Sequence, residues 1–203
     1  MLFDFGNNTA TITNTTITGN TSGSGGAVVS IGDDATLTLV YDTIVDNTVE
    51  AVVQLGSVAA KAAVDSANVH ADGSLVSVAT VIAVLDGGTN CSKGEAGTQT
   101  PQGYNFSDDT TCGFTNAATG DRQGAGLPAV GLGPLSDNGG IGQTMLPLPG
   151  SPLLNFIPPS ACRTGAAATV TDDERGVTRP QGTGCEIGAA EVLVVVQEPN
   201  FTG

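Results

Sequence analysis

The sequence predicts an all-β fold, a solenoid of short strands coiled into stacked turns. Composition is the first observation behind that prediction. Among 203 residues there are 29 glycines, no tryptophan, and only six lysines and arginines together. A helical chain of this length needs far more Leu, Glu, Lys and Arg along its helices. Here runs of Val, Ile and Thr are punctuated by Gly, Asn and Asp, the pattern of strands between turns. The second observation is internal repetition. Residues 11–21 align without a gap on residues 38–48, and Thr11/Thr38, Thr16/Thr43, Ile17/Ile44, Asn20/Asn47 and Thr21/Thr48 are identical. Ile12 faces Leu39 in this alignment, and a weaker third copy spans 75–85. The third is spacing: a recurrence somewhat above about twenty residues suits one coil of a solenoid.

Taken in order, each copy alternates apolar residues with threonine, so one side faces a core and the other water. Asn14, Asn20 and Asn47 fall between strand segments, where asparagine adopts turn conformations and can stack from coil to coil. Residues 23–26, Gly-Ser-Gly-Gly, make a bend before a strand over 27–31. From about residue 86 the apolar residues scatter among Gly, Pro, Asn and Asp, and this turn-rich character runs to about Pro159. Val192, Leu193, Val194, Val195 and Val196 read as a last strand. It is apolar on both faces, so it is either buried or an assembly strand awaiting a partner. The organisation is therefore coils over 1–86, a turn-rich continuation and cap of the same domain over 87–191, and a terminal strand and tail over 192–203. The opening residues lack the basic region and long apolar core of a secretory leader, and read as the start of a fragment. No run reaches transmembrane length.

The net charge of −14 argues against nucleic acid, which demands clustered Lys and Arg, and against anionic membrane surfaces. The four cysteines, Cys91, Cys112, Cys162 and Cys185, form no Cys-x-x-Cys pair, and His70 is the only histidine, so zinc spacing is missing. Three disulfide connectivities are open. The sequential one is preferred because it closes two irregular, core-poor loops locally, each bridge contributing about 3 kcal/mol. Bridges of this kind suit an oxidising compartment.

Three segments together carry a family resemblance. Gly103-Tyr104-Asn105-Phe106-Ser107 precedes Cys112-Gly113-Phe114. Leu132-Gly133-Pro134-Leu135-Ser136-Asp137-Asn138-Gly139-Gly140 leads to Gln143-Thr144 and Leu148-Pro149-Gly150-Ser151-Pro152. Glu174-Arg175-Gly176 leads through Arg179-Pro180 to Cys185-Glu186-Ile187-Gly188-Ala189 and Glu191. Following Thr/Ile/Asn coils, this combination resembles the choice-of-anchor Q type of right-handed parallel β-helix surface protein, with coils in the style of polymorphic outer-membrane-protein repeats. The resemblance covers residues 10–191. It implies a right-handed parallel β-helix in a secreted or cell-surface protein of bacterial or archaeal type. Glu186, Ala190 and Leu154-Asn155 depart from the pattern, which bears on details of the terminal loop.

Candidate sites follow from the charged residues. Arg175 and Arg179 stand near Asp172, Asp173, Glu174, Glu186 and Glu191. Arginine forks of this kind either bind a carboxylate or sugar acid, or lock a salt-bridged loop. The expectation is the second: Arg175, Arg179, Glu186 and Glu191 form a structural cap closing the solenoid end. Calcium is the one ion to consider, at Asp33-Asp34, Asp108-Asp109 or Asp172-Asp173-Glu174, but a doublet supplies too few oxygens. Asp42 and Asp46 are the best acidic pair on the coils for a glycosidase. Their first-copy counterparts are Thr15 and Gly19, so no carboxylate ladder exists. His70 has no Ser or Cys partner motif in sequence. Thr-x-Thr pairs at 11–13, 16–18 and 36–38 hint at an ice-binding lattice that Val40 and Val45 interrupt.

The expected function is thus an extracellular, non-catalytic structural or adhesive module of a prokaryotic surface protein, with no catalytic residue and no cofactor. Partners would be the chain itself or flanking coils through strand edges, and cell-surface glycans or proteins. The alternatives are a carbohydrate-binding or polysaccharide-degrading protein, and a filament or surface-layer subunit.

Overall fold

A computed structural model describes residues 9–22, 26–31, 34–49, 67–85, 88–124, 129–163 and 165–193. The chain makes successive passes through the same sheets. The first pass is β1 (Thr9–Thr13), β2 (Thr16–Thr18), β3 (Thr21–Ser22) and β4 (Gly26–Ile31). The second is β5 (Thr36–Val40), β6 (Thr43–Val45), β7 (Thr48–Val49) and β8 (Ala67–Ala71). The third is β9 (Ser74–Val78), β10 (Val81–Ala83) and β11 (Thr89–Lys93); β12 (Thr98–Pro101), β13 (Phe106–Ser107) and β14 (Arg122–Gln123) follow. Each pass lies on the one before it. The sheets run β1-β5-β9-β12, β2-β6-β10-β13-β14, β4-β8-β11 and β3-β7, with every pairing parallel.

The sequence repeat is the pairing register itself. Thr11 lies beside Thr38 and Thr38 beside Val76, while Ile17, Ile44 and Ile82 form one row. The third copy therefore stacks as the first two do. Regular strands also persist beyond the composition change near residue 86, as far as Gln123. Sequence periodicity misses β11 to β14 because their apolar residues are few.

Two apolar clusters explain the pattern of side chains. An inner one holds Leu37, Leu39, Ile44, Val69, Ala71, Leu75 and Ile82, joined by Cys91, Cys112 and Phe114. The second holds Val40, Val45, Val78, Val81, Ala83 and Phe106 against Val130, Met145, Leu153, Ile157, Val170 and Ile187. Successive strand residues point to opposite faces. On β6 Ile44 therefore enters the inner cluster while Val45 packs outward, and on β10 Ile82 is inner while Val81 and Ala83 are outer. This sheet is buried on both faces, because residues 129–193 cover its outer one. That is why Val40 and Val45 interrupt the threonine pattern.

The corner between the first two sheets repeats an unusual backbone. Asn14, Tyr41, Ala79 and Tyr104 have φ of 50°, 56°, 53° and 56°. Left-handed backbone costs a non-glycine residue about 1–2 kcal/mol, and here it turns each corner so that stacking continues. Each of these N–H groups donates to the next pass: Asn14 to Val40 O, Tyr41 to Val78 O, Ala79 to Gly103 O and Tyr104 to Thr119 O, at 3.0–3.1 Å. A side-chain ladder runs alongside. Thr15 N donates to Asp42 Oδ1 (2.9 Å), Asp42 N to Thr80 Oγ1 (3.3 Å), Thr80 N to Asn105 Oδ1 (3.2 Å) and Asn105 N to Asp121 Oδ1 (3.1 Å).

A second ladder joins Asn20 Nδ2 to Asn47 Oδ1 (2.9 Å), Asn47 Nδ2 to Asn68 Oδ1 (3.0 Å) and Asn68 Nδ2 to Ala83 O (2.7 Å). Of the asparagines expected to stack, Asn20 and Asn47 do, with Asn68 as a third rung, while Asn14 instead donates to Asp172 O. Asn47 is 2% exposed and also satisfies Asn20 N and the carbonyls of Ile17 and Val45. Asn47→Ala leaves several of these groups without partners and should lower stability by about 2 kcal/mol. Urea denaturation checks this; an unchanged midpoint would show that the ladder adds nothing.

Residues 129–193 are mostly irregular, with isolated antiparallel bridges such as Ile157 to Cys185 and Asp172 to Thr178. The disulfides are Cys91–Cys112 and Cys162–Cys185, the sequential pairing. Two such bridges suit an oxidising environment. Of the terminal apolar run, Val192 and Leu193 have no sheet pairing, and Leu193 is exposed. Val194, Val195 and Val196 lie outside the described residues. Among the described residues no helix is long and apolar enough to cross a membrane.

Candidate functional site

The charged residues of the C-terminal segment gather at the stacked corners. Arg179 is fully buried, and its guanidinium lies over the Tyr41 ring, 3.9 Å from the centroid. Nη1 donates to Glu191 Oε1 at 2.7 Å, and Nη2 donates to Gly188 O at 2.9 Å and Asn14 Oδ1 at 3.2 Å. Glu191 also accepts from the backbone N–H groups of Glu186 (2.9 Å) and Gln181 (3.1 Å). Arg175 pairs with Asp173 at 2.7 Å and donates to the carbonyls of Asn138 and Glu191. Asp173 accepts in turn from the N–H groups of Arg175, Val177 and Glu191.

Contacts to the stacked strands come from several passes. Asn14 Nδ2 donates to Asp172 O (2.6 Å), and Thr16 Oγ1 donates to Glu174 Oε2 (2.6 Å). Ala189 N donates to Thr43 Oγ1 (2.9 Å), Gly188 N to Ala79 O (2.9 Å), and Tyr41 Oη to Cys162 O (2.8 Å). Arg122, on β14, lies over the Phe156 ring. Gly188 is required here: its φ is 101°, and a Cβ would stand 2.7 Å from Thr43 Oγ1. The four residues expected to form a cap thus do form one network, but along the flank of the stack rather than at its end. The left-handed corners present backbone groups and an aromatic face sideways, and the segment satisfies them there. The inner core is instead bordered at its last passes by Phe114 and Cys91–Cys112.

Burial sets the protonation. Glu186 is pushed up to about 8, first by burial and then by the neighbouring Glu191 carboxylate. Burial also raises Asp42 well above its usual value, although the N–H groups of Thr15 and Val40 oppose it. Burial raises Glu174, against the hydroxyl of Thr16. For Asp173 burial acts upward too, but hydrogen bonds from Glu191, Val177 and Arg175 win and hold it below the usual value. A carboxyl raised in the folded state binds its proton there more tightly than in the unfolded chain. Its contribution is full below the unfolded value, 4.5 for Glu186, and is lost as pH rises through about 8. The protein should therefore be more stable at pH 6 than at pH 9. Glu186→Gln, which mimics the protonated acid, should flatten that slope; unfolding midpoints across this range would reveal an unchanged slope if the assignment is wrong.

These geometries bear on the chemistry. Neither Arg175, with 4% side-chain exposure, nor Arg179, with none, presents its fork to a sugar acid. Asp109 accepts from Asn90, Ser107 and Thr111, and Asp108 from Asn90. Among the described residues no three His, Cys, Asp or Glu converge as a metal site. Asp42 and Asp46 do not act as a pair: Asp42 accepts N–H groups at the first corner, and Asp46 accepts from Leu85 N (2.7 Å) beyond the far end of β6. An open groove of about 340 Å³ remains beside the network, lined by Thr11, Thr13, Asn14, Thr169, Thr171 and Asp172. His70 stands apart on β8, next to Ser92 and Asp72. Tyr41 and Asn14 belong to the network and were missed as site residues, whereas Asp173, read as a neighbour of the arginines, pairs with Arg175. The one signal for Tyr41 is a lone aromatic interrupting a Thr/Val coil. Comparison with protein-family models, curated proteins and solved structures returns no match.

Proposed function

We propose that the chain is a structural and adhesive module of a secreted or surface-displayed prokaryotic protein, folded as a right-handed parallel β-helix of the choice-of-anchor Q type. One observation carries the reading. The buried charges serve a single purpose, tying an irregular segment across successive passes of in-register parallel strands. Such a device makes a stiff, protease-resistant body and leaves its long faces for contact. The disulfides and the acidic surface suit life outside the cytoplasm. The groove beside β1 offers hydroxyls from Thr11, Thr13, Thr169 and Thr171, which match a neutral glycan. The purified chain should be retained on neutral glycans in an array without depolymerising them, and Thr171→Val should weaken retention. Chain shortening of a polysaccharide would instead favour the degrading enzyme, and no retention on any glycan would remove the adhesive part.

A second reading, assembly through strand edges, has its own support. Ala10, Ile12 and Ile17 are only partly buried, whereas Leu37, Leu39 and Ile44 in the next pass are at most 1% exposed. Among the described residues β1 is an outer strand, so a further parallel strand would complete its core. Ile12→Lys should abolish any self-association seen by light scattering.

A further inference from the structure

We infer that Ser92, His70 and Asp72 form a nucleophilic site for short-chain acyl esters, beyond the structural role proposed above. The arrangement follows from the sheet. Residues 70 and 92 are register partners on β8 and β11, so their side chains stand side by side. Val69, Ala71 and Cys91 enter the inner core, which turns His70 and Ser92 outward. Asp72 is two residues beyond His70 and falls on that outward side.

The distances complete a relay. Ser92 Oγ is 2.7 Å from His70 Nδ1, and His70 Nε2 is 3.3 Å from Asp72 Oδ1. The negative charge of Asp72 beside Nε2 favours the tautomer with the proton on that nitrogen. Nδ1 then keeps its lone pair and accepts from the Ser92 hydroxyl. This is the logic of a nucleophile, a base and an orienting acid, with the two ring nitrogens exchanged relative to the usual Ser-His-Asp case. His70 is 6% exposed, while Ser92 is only partly buried, so the base is shielded and the nucleophile is approachable. The carboxylate occupies space that a side chain would take: a Cβ on residue 94 would lie 2.0 Å from Asp72 Oδ1, so glycine there leaves the carboxylate this position.

In the reaction, Ser92 Oγ bonds to the acyl carbon and its proton passes to His70 Nδ1. The ester C–O bond then breaks, and the leaving alkoxide takes that proton. Water attacks the acyl-serine, giving a proton to Nδ1, which returns it to Oγ as the acid departs. The shallow, outward position favours small acyl groups, and the net charge of −14 disfavours anionic esters.

The test is labelling of the whole chain with a fluorophosphonate, the modified peptide located by mass spectrometry, together with hydrolysis of 4-nitrophenyl acetate. Ser92 should be the labelled residue, and Ser92→Ala should lose both signals. His70→Gln should slow labelling by roughly a hundredfold. Asp72, a positioning residue, should lose rate as Asp72→Asn and recover part of it as Asp72→Glu, while thermal unfolding of both variants stays the same. No label on Ser92 in folded protein, or equal hydrolysis by Ser92→Ala, overturns the inference. Neither result bears on the glycan-retention test.

Discussion

Arg179→Ala should cost about 4 kcal/mol of stability, because it leaves a buried carboxylate without its partner. Glu191 is fully buried and 2.7 Å from the guanidinium. The same substitution removes the donors to Gly188 O and Asn14 Oδ1 and uncovers the Tyr41 ring. A loss of this size is a large share of the roughly 5–15 kcal/mol that holds a domain folded. The charge itself need not be stabilising, since apolar groups of similar volume often replace a buried pair at little cost. Arg179→Met with Glu191→Leu should therefore recover part of the loss, though the N–H groups of Glu186 and Gln181 would remain unpaired. Urea unfolding of the three proteins decides this. If Arg179→Ala unfolds at the wild-type midpoint, the segment is held by apolar packing alone.

Reduction of the disulfides is the second large effect. Cys91–Cys112 and Cys162–Cys185 span 21 and 23 residues, and each should contribute about 3 kcal/mol, about 6 together. The two losses should differ in kind. Cys162–Cys185 belongs to the outer cluster, and Cys162 O accepts from Tyr41 Oη. Its removal should release the C-terminal segment and expose Val40, Val45 and Val81, giving binding of a hydrophobic dye before the strands unfold. Cys91–Cys112 belongs to the inner cluster, so its removal should lower the midpoint of the strands themselves. Paired serine variants compared in urea, with the dye present, separate these outcomes. A midpoint that dithiothreitol leaves unchanged would mean that neither bridge constrains the unfolded chain.

Much of the architecture was legible because successive passes of parallel strands place equivalent residues of the repeat side by side in space. Aligning Thr11 with Thr38, or Asn20 with Asn47, is the same act as pairing them. The disulfides were legible because each closes a local loop. The site was less so. That Arg175, Arg179, Glu186 and Glu191 belong together could be read from their proximity within twenty residues, but not where they dock. Tyr41 lies 138 positions before Arg179, and no local preference places a tyrosine in left-handed backbone. His70 and Ser92 lack any shared motif, and only the pairing of β8 with β11 joins them.

By itself, then, the sequence determined an all-β chain of repeated strands and the alignment of its first two copies, and favoured the two local bridges, since periodicity and loop closure are properties of nearby residues. Only the tertiary structure decided that the outer face of one sheet is buried, that the charged segment lies along the flank, and that burial pushes the Glu186 carboxyl up. Each of those depends on which surfaces lose water, and that is set by contacts between residues far apart in the chain.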